Sequence, residues 1–84
     1  MEKLIAVSNT EDTGRIFYRI TGDKIFGIKI EQERGILKTA EVKNLTRNFG
    51  RIKEFAEALA CGNVTAVMLY GMCDDFSDAG NYHE

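Results

Sequence analysis

Thr46–Gly62 is the only long segment of the chain with a clear helical period, and it limits the folds open to everything before it. Phe49, Ile52, Phe55, Ala56, Leu59 and Ala60 recur along one side of the helix that this spacing predicts. A helix with one apolar stripe is stable only when that stripe lies on another apolar surface. The segments before it repeat every two residues, so the surface on offer is a sheet. Thr46 is the expected N-cap, and Gly62 suits the left-handed position that ends such a helix. Gly50, inside the helix, suggests a close approach to a strand.

Four strands are expected ahead of the helix. The first is the apolar run 3–8, closed by the polar turn 9–14. In the second, 15–21, Ile16, Tyr18 and Ile20 share one face, and Arg15, Phe17 and Arg19 the other. The third, 25–31, has Phe26, Ile28 and Ile30 on its apolar face. A two-residue turn at Gly22-Asp23 would put the apolar sets of these two strands on opposite faces. The parity therefore predicts a three-residue loop or a bulge at 22–24, with Ile20 opposite Phe26. A turn at 32–35, with Gly35 at positive φ, leads to a fourth strand, 36–43, in which Ile36, Ala40 and Val42 share a face. After the helix, Thr65 repeats the N-cap signal, with Val64 before it and Leu69 after it placed as a hydrophobic staple. Met68, Leu69, Met72 and Phe76 then follow at helical spacing to about Ser77.

The expected fold class is α+β: a four-stranded antiparallel β-meander followed by a two-helix hairpin packed on one sheet face. Residues 1–77 form one domain and 78–84 a frayed tail. At 84 residues the core is thin, so burial of more apolar surface in an oligomer would add appreciably to stability. There is no apolar run of the length that spans a bilayer and no signal-peptide pattern, so the expected location is cytoplasmic.

The helical half resembles a small bacterial family of uncharacterised proteins, a domain of unknown function. The resemblance rests on Thr46-x-Asn48, on Gly62-Asn63-Val64-Thr65, and on Leu69 with Asp74-Asp75-Phe76. Where such sequences tend to have Pro after the second cap, this chain has Ala66, and the first helical position accepts either. The resemblance implies strands followed by a helix pair and supplies no activity.

No catalytic constellation is visible. His83 lies one residue from the C-terminus, where a general base would lack a fixed position. Cys61 falls at a helix C-terminal end, where the dipole disfavours a thiolate, and both Cys61 and Cys73 read as buried free thiols. Cys61, Cys73 and His83 lack the paired spacing of a zinc module, and Asp74, Asp75 and Asp78 lack the pattern of a calcium loop. The glycines form neither a dinucleotide fingerprint nor a P-loop. The expectation is therefore no enzyme, no metal and no cofactor.

Charge is more informative when divided along the chain. Residues 1–53 hold all eleven basic side chains against seven acidic ones, for +4, and residues 54–84 carry −6. A basic body with an acidic end can neutralise itself within one chain or between two. The candidate interface is the sheet face away from the helices: Arg15, Phe17, Arg19, Ile25, Lys29 and Leu37, with Glu31 and Glu41 sharing it. Phe17, Ile25 and Leu37 ringed by charge suggest protein–protein contact, with a homodimer foremost. The alternative is a single-stranded nucleic-acid binder through Arg15, Arg19 and Lys29, although a lone aromatic is a poor stacking platform.

Overall fold

The computed structural model describes residues 2–72. Four strands, β1 (Glu2–Thr10), β2 (Gly14–Thr21), β3 (Phe26–Gln32) and β4 (Thr39–Thr46), form one antiparallel sheet in the order β1-β2-β3-β4. Helix α1 (Phe49–Cys61) follows, and a second helix, α2, is helical over 66–72 among the described residues. The α+β meander with a helical pair on one sheet face is the architecture that the sequence predicts.

One face of the sheet carries the core. Ile16, Tyr18 and Ile20 of β2 and Phe26, Ile28 and Ile30 of β3 are buried there. α1 covers them with Ile52, Ala56 and Leu59, and the second helical segment adds Val64, Ala66 and Leu69. Polar groups tie this segment to the sheet. The Tyr18 hydroxyl donates to the Val64 carbonyl at 2.8 Å, and the Ala66 amide donates to Gln32 Oε1 at 2.9 Å. Gln32 Nε2 donates in turn to the Arg34 carbonyl, so one buried side chain joins the β3–β4 loop to the start of α2.

The β2–β3 register keeps the predicted parity but lies two residues further along: Ile20 pairs with Ile28 and Tyr18 with Ile30. A shift of two leaves every side chain on its own face. Phe26 is thereby free to pair with Thr46 of β4 and to meet the Phe49 ring edge-on at 5.4 Å. β4 starts later than expected. Ile36 is fully exposed in the loop, and Leu37 packs against the core cluster instead of facing outward. Gly35 takes the expected positive φ. Between the pairs Ile28–Val42 and Phe26–Thr46, three residues of β4 face Gly27 alone, with Asn44 at φ 60°. This bulge presses β4 backbone onto β3. A Cβ on Gly27 would lie 2.2 Å from the Val42 carbonyl oxygen.

The helix ends differ from expectation by one or two residues. Asn48, not Thr46, is the N-cap of α1; its Oδ1 accepts from the Arg51 amide, while Thr46 Oγ1 accepts from the Asn48 amide. Thr46 is still held in β4 by Phe26, so the chain turns two residues later. At the other end Asn63, not Gly62, is left-handed, with φ 52°. The Asn63 amide bonds to the Ala60 carbonyl and the Val64 amide to the Leu59 carbonyl, which is the Schellman arrangement. Asn tolerates this conformation because its short side chain can hydrogen-bond locally. Gly50 faces solvent, and a Cβ there would meet only Asn48 Oδ1 at 3.4 Å, so no strand approaches it.

Candidate functional site

The face of the sheet opposite the helices is built by alternation, and the register aligns it in rows. One row runs Val7, Phe17, Glu31, Thr39; the next runs Leu4, Arg19, Lys29, Glu41. Leu4 and Val7 are three residues apart and would normally point to opposite sides of a strand. A register shift between Leu4 and Ala6 inserts Ile5 as an extra residue and brings both onto the outer face. They are 47% and 49% exposed, directly beside Arg19 and Phe17.

Phe17 is half-buried between two cations. The guanidinium carbons of Arg15 and Arg19 lie 5.7 and 5.5 Å from its ring centroid, within the range of cation–π attraction. The cations are also paired with carboxylates. Glu33 accepts from the Arg15 backbone amide, Nε and Nη2 at 2.8, 3.1 and 2.9 Å. That contact holds the Glu33 carboxyl below its ordinary range and raises Arg15 above its own. Arg19 pairs with Glu31, and Glu2 lies 3.8 Å from Arg19 Nε and 3.6 Å from Lys29 Nζ. The outer face is thus an apolar strip of Leu4, Val7 and Phe17 set among charges that largely cancel.

Of the residues that the sequence singles out, Arg15, Phe17, Arg19 and Lys29 share this face. Ile25 lines a half-open cleft over Gly27, with Glu2, Thr21, Glu41 and Lys43, at the end of the sheet where Glu2 meets Arg19 and Lys29. Leu37 belongs to the core side. Leu4 and Val7 join the patch in place of Leu37. Sequence parity missed them because only a bulge puts both on one face.

A second apolar surface lies on α2, where Val67, Met68, Tyr70 and Met72 are exposed. Met68 and Met72 are predicted on the buried stripe, but among the described residues α2 meets the core through Ala66 and Leu69. Cys61, expected to be buried, is an exposed thiol at the end of α1. The carboxylates Asp74, Asp75 and Asp78, together with Cys73, Phe76 and His83, lie outside the described residues, as does the tail 78–84. No helix among the described residues is long and apolar enough to cross a membrane.

The chain belongs to a family of unknown function, DUF6514, whose model matches residues 1–79 and so covers the strands as well as the helices. Comparison with curated proteins and with solved structures finds no match to either.

Proposed function

We propose, starting from a family without an assigned activity, that this chain is a small cytoplasmic interaction or regulatory module. It acts by protein–protein contact, with a second copy of itself as the foremost partner, and catalyses no reaction. The observation that carries this reading is the strip of Leu4, Val7 and Phe17 on the outer face of the sheet, half-exposed and aligned by the β1–β2 register. An apolar patch rimmed by polar groups is the usual mark of a contact surface. The neighbouring cations favour protein over nucleic acid as the partner. Arg15, Arg19 and Lys29 already face Glu33, Glu31 and Glu2, so a phosphate backbone would have to displace carboxylates.

Size-exclusion chromatography with light scattering on the wild type and Phe17→Asp tests the proposal. The wild type is expected to run as a dimer at high concentration, and Phe17→Asp to shift towards monomer. A wild-type monomer at all concentrations removes self-association. Fluorescence anisotropy with short single strands at low salt tests the alternative, and flat titrations would end it.

A further inference from the structure

The register puts Glu2, Thr21 and Gly27 in one row across the outer face, and the bulge of β4 closes that row at Lys43 and Asn44. Gly27 has no side chain, so the row has a gap in its middle. The gap is the half-open cleft, a cavity of about 270 Å³. Glu41 of the next row walls it on one side, and Gly22 and Ile25 of the β2–β3 turn on the other.

Polar side chains around this cleft lack partners among the described residues. Thr21 is only 8% exposed, yet its hydroxyl makes no hydrogen bond. No fully buried polar side-chain atom there is without a partner, so the Thr21 hydroxyl opens onto the cleft that it lines. A polar group this enclosed normally has a hydrogen-bond partner. The side chains of Glu41 and Lys43 make no hydrogen bond or ion pair either. They lie two residues apart on one face of β4, about 7 Å along the strand, so one small molecule can touch both. Glu2 differs, because its carboxylate already faces Arg19 and Lys29.

We infer that the cleft binds a small free α-amino acid, its ammonium on Glu41 and its carboxylate on Lys43 and the Thr21 hydroxyl. The charges select the ligand. A lone carboxylate on Lys43 would be repelled by Glu41, and a lone amine on Glu41 by Lys43, whereas a zwitterion satisfies both. Size limits it further, since ligand pockets commonly start at about 300 Å³ and this one falls just short. The cleft is separate from the strip of Leu4, Val7 and Phe17, so the inference stands whether or not the chain self-associates.

An NMR titration of the isotope-labelled chain with L-alanine and L-serine tests the site. Saturable amide shifts are expected at Thr21, Gly27, Glu41 and Lys43. L-serinamide and N-acetyl-L-serine, which present one charge each as the two ends of a peptide do, are expected to bind about tenfold more weakly. Glu41→Gln and Lys43→Gln each weaken amino-acid binding by about tenfold, and Thr21→Val by several-fold. Unchanged spectra away from the cleft show that each variant is folded. Absence of saturable shifts with both amino acids overturns the site. Equal binding of L-serinamide or N-acetyl-L-serine overturns the free amino acid and assigns the cleft to a peptide end. Binding that survives Glu41→Gln and Lys43→Gln unchanged overturns the two charged contacts.

Discussion

Tyr18 shows how one side chain can belong to two parts of the fold. Its ring is fully buried among the strand residues, and its hydroxyl reaches the chain between the two helices at the Val64 carbonyl. Burial pushes its phenol above the ordinary tyrosine value, with the Ser8 hydroxyl opposing in part. The unfolded chain loses this proton near pH 10, while the folded chain still holds it. Stability is therefore complete below that pH and falls as the pH rises towards the folded pKa. Tyr18→Phe leaves the Val64 carbonyl buried and unpaired and is expected to cost about 1–3 kcal/mol at neutral pH. Denaturant unfolding at pH 8 and above pH 10 checks both effects: the variant is less stable at pH 8 and loses less on going alkaline. Periodicity alone puts Tyr18 in the core. The partner of its hydroxyl, forty-six residues away, has no local signal.

At the scale of elements, two glycines that look alike in the sequence behave oppositely. Gly27 sits in β3 where the β4 bulge leaves no room, and Gly50 sits on the solvent side of α1. Gly27→Ala forces backbone apart and is expected to destabilise by about 2–4 kcal/mol. Gly50→Ala removes unfolded-state freedom and is expected to stabilise by about 0.5–1 kcal/mol. Thermal and denaturant unfolding of the pair separates them; loss of stability in Gly50→Ala would contradict the open space around it. The same distinction runs through the candidate site. Alternation in β2 places Arg15, Phe17 and Arg19 together correctly, because β2 is regular and buried on one side. It fails for Leu37, which a long loop carries to the core, and for Leu4 and Val7, which a bulge realigns.

For the whole molecule, the self-association proposed above would make stability depend on protein concentration. Mass action on a dimer adds about 0.7 kcal/mol per chain for each tenfold rise in concentration. For a domain of this size that corresponds to a Tm higher by roughly 3–5 °C per decade, which differential scanning calorimetry at two concentrations reads directly. A Tm independent of concentration speaks against a dimer. The sequence by itself determined the number of elements, their order, the inward face of β2 and β3 and the stripe of α1. Those follow from periods of two and 3.6 residues, which are local properties of the chain. Only the tertiary structure decided the β2–β3 register, the two bulges, the caps at Asn48 and Asn63, and the exposure of Cys61 and of α2. Each of these depends on which distant backbone or side chain takes up a group that the local pattern leaves open.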